Sequence, residues 1–224
     1  MLEKIKILMV DDHPIIIEGY QNTLLLTKKE SQDLVIDIAN NCDQALMRIN
    51  KAVDSKAPYN MLLLDLSIPA SKDGSFTSGE DLAVYARKKL PHAKVVILTM
   101  FNEPYRIHSI IDNINPEGFL IKSDLTSSEL SIAFQAVLNN PPFYSDTVNS
   151  IIKKTIKSNI VIDEKNRKIL NLLSQGIKTK NLVGHLKLSL SAIEKRKKQL
   201  KLLFCIEDGQ DETLLKEARK NGFV

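Results

Sequence analysis

The sequence predicts two folded units in one chain: a doubly wound α/β unit with a five-stranded parallel sheet, followed by a small all-α unit. Three observations predict this. Up to residue 140, short β-branched apolar runs alternate with longer amphipathic stretches. Asn139-Asn140-Pro141-Pro142 then interrupts the pattern, because proline cannot continue a helix and restricts the residue before it. Beyond Ile160 no strand pattern returns, and every segment suits a helix. A chain of 224 residues accommodates two domains of roughly 100–150 and 60–80 residues.

In order, Lys4–Val10, Leu34–Ala39, Met61–Leu64, Lys94–Leu98 and Gly118–Ile121 read as five strands. Three of them are nearly continuous apolar runs, as parallel strands covered on both faces require. Helical stretches lie between and after them, near 14–28, 43–56, 79–89, 104–114 and 127–139. Thr126 and Glu129 offer a capping box for the last of these. Five βα units in succession place functional groups at the carboxyl ends of the strands. The domains expected are therefore 1–140, a partly helical linker 141–160 containing a short helix near 145–157, and 161–224. Helices in the last unit are expected at 163–175, 179–187, 190–204 and 211–221, with Gly176 and Gly222 as C-caps.

Composition excludes several classes. Apolar residues make up 43% and charged residues 26%, the balance of a folded water-soluble protein. No run of about 18 uncharged apolar residues predicts a membrane span. The start, MLEKIKILMVDDHP, reads as a buried strand followed by acids, not as a signal peptide. Cys42 and Cys205 have no metal or redox spacing, so reduced thiols and a cytoplasmic location are expected. The net charge of +4 is divided unevenly. Residues 1–140 carry 14 Lys/Arg against 18 Asp/Glu, and residues 141–224 carry 17 against 9. The acidic half suits regulation and the basic half a polyanion.

Asp11 and Asp12 follow the first strand, Asp65 ends the third, Thr99 ends the fourth and Lys122 follows the fifth. In a doubly wound sheet the first and third strands are neighbours, so the three carboxylates converge at one edge. Clustered carboxylates repel unless a cation joins them, and Mg²⁺ with oxygen ligands suits such a site. One carboxylate oxygen can then attack phosphorus, while a hydroxyl and an ammonium hold the added phosphoryl oxygens.

On Val10-Asp11-Asp12-His13-Pro14, Asp65-Leu66-Ser67-Ile68-Pro69, Leu98-Thr99 and Gly118-Phe119-Leu120-Ile121-Lys122, residues 3–140 resemble the receiver domains of two-component systems, which are flavodoxin-like. The resemblance implies that Asp65 is the phospho-acceptor and Asp12 a direct Mg²⁺ ligand. Asp11 would act partly through water, and the Ser67 carbonyl would be a further ligand. Thr99 and Phe119 would be the switch residues, with Phe119 swinging inward, and Lys122 would pair with the phosphoryl group. Such a chain is no enzyme beyond its own phosphorylation and dephosphorylation. One departure stands out: Ala70–Ser78 (ASKDGSFTS) lengthens the segment between the acceptor's proline and Gly79. An added polar loop costs little.

In the basic half, Lys178–Leu186 and Ser191–Phe204 flank a tight link, Lys187-Leu188-Ser189, which describes a helix-turn-helix whose second helix enters a DNA major groove. Five of the seven residues 195–201 are cationic. Either Ser189 or Ser191 suits the N-cap of this helix. Leu172–Gly176, Leu186–Ser189 and the ending Ala218–Val224 are similar to the LuxR/NarL/FixJ class of output domain. In that register Glu194, Lys195 and Lys198 face the groove, while Lys180, Arg196 and Lys197 contact phosphates. Asn166 stands where the class usually has Glu. The resemblance implies a sensor histidine kinase as partner, double-stranded promoter DNA as target and a homodimer when phosphorylated. The alternatives are a phosphorylation-independent DNA-binding regulator with the receiver as a dimerisation scaffold, and a Mg²⁺-dependent phosphate ester hydrolase. The absence of a second acid two residues after Asp65 argues against the last.

Overall fold

The computed structural model describes residues 2–224. It divides into two compact units, one formed by the residues up to Phe101 with Ile110–Val148, the other by Asn102–Ser109 with Asn149–Val224.

Up to residue 139, β1 (Glu3–Val10), β2 (Gln32–Ala39), β3 (Met61–Asp65), β4 (Lys94–Thr99) and β5 (Gly118–Ile121) alternate with α1 (Pro14–Thr27), α2 (Cys42–Asp54), α3 (Gly79–Lys89), α4 (Pro104–Ile114), whose first part is assigned to the second unit, and α5 (Ser127–Asn139). The strands are all parallel, in the order β2-β1-β3-β4-β5 followed by a sixth. Strands β3 and β5 are buried at every position, because helices cover both faces of the sheet. One face packs Ile7, Met9, Leu63, Val96 and Leu98 against Ile17 and Leu24 of α1 and Leu130, Phe134 and Val137 of α5. Each such side chain contributes about 1.5–3 kcal/mol when fully buried. The capping box at α5 is present, with Thr126 and Glu129 each accepting the other's backbone N–H.

Register carries the chemistry to one edge. Val10 pairs with Leu64, Asp65 with Leu98 and Thr99 with Ile121, so Asp11, Asp65, Thr99 and Lys122 emerge side by side.

The five-stranded sheet predicted from sequence is corrected to six. Phe143–Tyr144 forms β6, parallel to β5, with Gly118 opposite Phe143 and Phe119 opposite Tyr144. The Phe143 amide donates to the Glu117 carbonyl at 2.9 Å, and the Ser145 amide to the Phe119 carbonyl at 3.0 Å. Ser145 Oγ accepts from the Ile121 amide at 3.2 Å, and Thr147 Oγ1 donates to Asp124 at 2.9 Å. Two residues are too few to show a period of two, so sequence pattern gives no sign of this strand. The linker helix follows as α6 (Asp146–Ser158).

The second unit holds α7 (Glu164–Ser174), α8 (Leu182–Leu186), α9 (Leu190–Leu203) and α10 (Asp211–Lys220). Ile169, Leu170, Leu172 and Leu173 of α7 pack with Leu182, Ile193, Leu200, Phe204, Leu214 and Phe223 in one core. The helix expected over 179–187 is a single 3₁₀ turn, Thr179–Asn181, continued by the short α8. Lys187 adopts the left-handed conformation (φ 52°) and turns the chain toward Ser189. Ser189, not Ser191, caps α9, accepting the Ala192 amide at 3.2 Å. Gly176 and Gly222 follow their helices with φ of 80° and 77°.

Candidate functional site

Asp11 and Asp65 are 4% and 3% exposed, and Thr99 is fully buried. The Lys122 ammonium donates to Asp11 Oδ2 at 2.6 Å and to Asp65 Oδ2 at 2.7 Å. Burial alone would lower the Lys122 pKa, but hydrogen bonds and charge attraction from the two carboxylates carry it above its ordinary value. The remaining oxygens are held from the backbone: Asp11 Oδ1 accepts the His13 amide at 2.9 Å, and Asp65 Oδ1 the Ser67 amide at 3.1 Å. Ser67 itself is exposed at the mouth. Thr99 Oγ1 accepts the Phe101 amide at 3.2 Å. Phe119 is fully buried. An open cleft of about 510 Å³ reaches this edge past His13, Tyr20, Ser67 and Met100. Burial there pushes the Tyr20 phenol up, opposed by Lys122 and reinforced by Asp11 and Asp65.

The donor set fits a divalent cation. Ligand atoms of Asp11, Asp12, His13 and Asp65 lie within 4.8 Å of one another. Asp12 Oδ1 is buried with no neighbour but the His13 ring, Nδ1 at 2.7 Å, and keeps lone-pair capacity that a cation would satisfy. Oxygen donors of this kind suit Mg²⁺.

The lengthened loop beside Asp65 is a folded turn. The Ser71 amide donates to the Phe76 carbonyl at 2.8 Å and the Gly74 amide to the Ser71 carbonyl at 2.9 Å. Asp73 Oδ1 accepts from Ser71 Oγ, the Ser75 amide and Ser75 Oγ at 2.6, 3.0 and 2.7 Å. Those hydrogen bonds, Ser71's first, hold the Asp73 carboxyl down to about 2. Phe76 packs edge-on against Tyr85 of α3, with ring centroids 5.4 Å apart. The loop ends at Gly79, whose amide donates to the Leu66 carbonyl at 3.1 Å. A Cβ at Gly79 would lie 1.9 Å from the Asp65 carbonyl oxygen. This close approach makes Gly79 part of the backbone support of Asp65, a role that its spacing from Pro69 obscures in the sequence.

In the second unit α9 separates its cations by face. Lys195, Lys198 and Glu194 are exposed, as is Lys180 beside Thr179. Arg196 turns back, donating to Asp163 Oδ2 at 2.7 Å and to Asn166 Oδ1 at 3.0 Å. Burial works against ionisation of Asp163, yet Arg196 and the Asn166 amide keep its carboxyl below the ordinary range. Asn166 thus replaces a charged partner with an amide oxygen. Lys197 requires a correction. It is 6% exposed, and its ammonium donates to Thr179 Oγ1 at 2.7 Å while pairing with Asp211 at 2.8 Å. A buried, neutralised lysine cannot reach a phosphate, so Lys197 is a structural cation, and Arg196 is largely committed in the same way.

Asp211 also pairs with Lys201 at 2.7 Å. Burial raises its pKa, but Lys197 and Lys201 outweigh that and depress it below its ordinary value. A carboxyl depressed on folding contributes stability that is present above its unfolded pKa and lost as pH falls through the folded value. Asp211→Asn is therefore expected to destabilise the second unit by about 0.5–1 kcal/mol at neutral pH, solvent screening at the half-buried carboxylate keeping the effect small. The difference from wild type should close below the ordinary carboxylate range, as read by thermal melts across a pH series.

No family model matches the chain. It is 23% identical over 210 residues to the transcriptional regulatory protein RcsB of Salmonella typhi, covering 92% of this chain and 91% of that protein. It is 24% identical over 200 residues to the transcriptional regulatory protein MctR of Rhizobium johnstonii, covering 88% and 86%. Among solved structures, RcsB dimers bound to two parallel DNAs match 97% of this chain and 99% of theirs, with TM-score 0.63 and 23% identity. The isolated REC domain of RcsB from Salmonella enterica serovar Typhimurium, in the presence of phosphomimetic BeF₃⁻, matches 66% of this chain and 98% of its own. Its TM-score is 0.53 and its identity 26%.

Proposed function

We propose that this chain, whose relatives are transcriptional regulatory proteins, is a two-component response regulator of the LuxR/NarL/FixJ class. Its first unit accepts a phosphoryl group on Asp65, and its second unit binds promoter DNA. The observation that carries this reading is the Asp65 carboxylate, held between the Lys122 ammonium and the Ser67 amide beside Asp11 and Thr99. Bound DNA and a phosphomimetic occur together in a structure of RcsB on a promoter, which supports joining the two roles here.

Ser67 and Lys122 orient the Asp65 carboxylate so that one oxygen can approach phosphorus in line. The new O–P bond forms as the bond from phosphorus to the donor breaks, with a histidine kinase's phosphohistidine or a small acyl phosphate as donor. A bound Mg²⁺, held by Asp11, Asp12, Asp65 and the Ser67 carbonyl, would neutralise charge on the transferred group. Lys122 then follows the new phosphoryl oxygens, and Thr99 exchanges its bond from the Phe101 amide for one to phosphate. Phe119, on the strand paired with that of Thr99, and β6, bonded to Phe119, are positioned to respond. A change of this kind favours a homodimer that sets two α9 helices on DNA half-sites. The work is cytoplasmic, where promoter DNA and reduced thiols coexist.

Lys180, Lys195 and Lys198 supply the exposed charge for phosphates and groove, with Glu194 among the base-reading positions. Each phosphate contact removed should reduce the slope of log K against log salt by about 0.9. Lys195→Ala with Lys198→Ala is expected to weaken promoter binding and flatten that slope by one to two such steps. Lys197→Ala should instead lower the melting temperature. Fluorescence anisotropy over a salt series and thermal melts separate the two.

The reading as a whole is tested by incubating the protein with acetyl phosphate and Mg²⁺ and measuring intact mass and promoter affinity. A single added phosphoryl group with tighter DNA binding is expected. An unchanged mass would leave a regulator that binds DNA without phosphorylation and would overturn the proposal.

A further inference from the structure

The charge of the second unit exceeds what its helix-turn-helix presents. Residues 141–224 carry 17 Lys/Arg against 9 Asp/Glu. Yet on α9 Arg196, Lys197 and Lys201 are already paired with Asp163 and Asp211. Much of the surplus lies on α6, whose residues from Asn149 onward belong to this unit. Ser150, Lys153, Lys154 and Lys157 are all exposed, and neighbours three and four apart share one helical face. Among the described residues none of the three ammoniums has a hydrogen-bonding or ion-pairing partner. The acid of this helix, Asp146, stands in its first turn, about 10 Å along the axis from Lys153. The other side of α6 is fixed within its unit. Gly222 follows α10 with φ 77°, and a Cβ there would meet Lys154 Cβ at 3.0 Å, the Ile151 carbonyl oxygen at 3.2 Å and Thr155 Oγ1 at 3.3 Å. Arg219, also exposed, accepts the Gly222 amide on its carbonyl at 3.1 Å, which puts a fourth cation one turn from Lys154. Phe223 in turn meets Phe204 edge-on, with ring centroids 5.6 Å apart, at the C-terminal end of α9.

We propose that the Lys153, Lys154 and Lys157 face of α6, with Arg219 beside it, is a second polyanion surface that holds DNA phosphates outside the helix-turn-helix. The inference rests on the DNA-binding reading given above. Duplex DNA carries one negative charge per about 1.7 Å of axis. Lys153 and Lys157 stand about 6 Å apart along α6, so the stripe spans several phosphates. Long ammonium side chains with no acid to satisfy make contacts that position a protein on the duplex without reading its sequence. A recognition helix reads bases with its N-terminal residues, which leaves its C-terminal end, and the patch joined to it through Phe204 and Phe223, for the backbone. A membrane surface fits less well, because a helix lying on lipid needs a free apolar face. Ile156 is the one large apolar side chain that α6 exposes. The consequence is an affinity raised for all sequences together, with selectivity left to α9.

The test uses the full-length protein and fluorescein-labelled duplexes of two unrelated sequences, with affinity measured by anisotropy over a salt series. Lys153, Lys154 and Lys157 are replaced together, once by Gln and once by Arg. A third variant, Lys51→Gln with Lys72→Gln and Lys88→Gln, removes the same charge from exposed positions of the first unit. The glutamine variant is expected to flatten the slope of log K against log salt by about two to three and to weaken binding to both duplexes about tenfold or more. The arginine variant and the first-unit variant should behave as wild type, which separates a local contact from lost folding and from lost net charge. An unchanged slope in the glutamine variant, while Lys195→Ala with Lys198→Ala still flattens it, overturns the proposal and leaves the DNA-binding reading standing. Equal flattening in the first-unit variant overturns it too. So does a loss confined to vesicles of phosphatidylglycerol, which would make the face a membrane contact. Wild type that binds neither duplex at low salt would overturn the DNA-binding reading and this surface with it.

Discussion

Gly79→Ala is expected to abolish phosphoryl acceptance and to destabilise the first unit by at least about 3 kcal/mol, beyond the usual range for overpacking. The added methyl would meet the Asp65 carbonyl oxygen at 1.9 Å and Leu66 Cα at 2.9 Å, both backbone atoms that no rotamer change can clear. Either the end of β3 must move, carrying Asp65 away from Lys122, or the folded loop must detach from α3. Both routes break the Gly79 amide's bond to the Leu66 carbonyl. Gly184→Ala is the matched control. It lies inside α8, where an added methyl would meet nothing within 4 Å, and alanine there should stabilise by about 1 kcal/mol. Urea titrations and intact mass after acetyl phosphate treatment read both effects. Equal stability for Gly79→Ala and wild type would show that β3 tolerates the methyl.

Asp65→Asn should eliminate phosphoryl transfer, because an amide nitrogen or oxygen lacks the charge and nucleophilicity of the carboxylate. Stability, by contrast, should change little. Asparagine preserves the volume and the acceptor for the Ser67 amide, while Lys122 keeps Asp11 at 2.6 Å. A lysine raised above its ordinary pKa contributes stability that is fully present below that value and lost only as pH rises through the folded one. The Lys122 pairs of wild type are therefore intact across neutral pH, and the variant isolates chemistry from folding. The expected result is an unmodified mass, a DNA affinity indifferent to acetyl phosphate, and a melting temperature close to wild type. A mass gain in Asp65→Asn would place the acceptor elsewhere.

The edge of the sheet is legible in the sequence because each strand shows itself as an apolar run and each functional group stands immediately at its end. Parallel register does the rest, so Asp11, Asp65, Thr99 and Lys122 require no long-range guess beyond strand order. The helix-turn-helix is legible for a similar reason, since its short link and apolar stripes are local. Lys197 misleads because a dense run of cations looks like a surface. Yet Ile193, Lys197, Leu200 and Phe204 follow one helical stripe, and the lysine occupies its second position. What the run cannot disclose is Asp211, which arrives from the next helix to neutralise it. Loop 70–78 is visible as an insertion, but its order depends on Asp73 gathering three donors, which composition alone does not predict.

The sixth strand alters where the molecule can be cut. A fragment ending at residue 140 would strip β5 of its neighbour and bare the peptide groups of Gly118 and Phe119, an open border onto which another chain can add. A fragment carried on to Val148 retains that seal. The transplantable module is thus longer than its βα repeats imply, and a hybrid regulator joined at the proline pair would inherit a receiver with a raw flank.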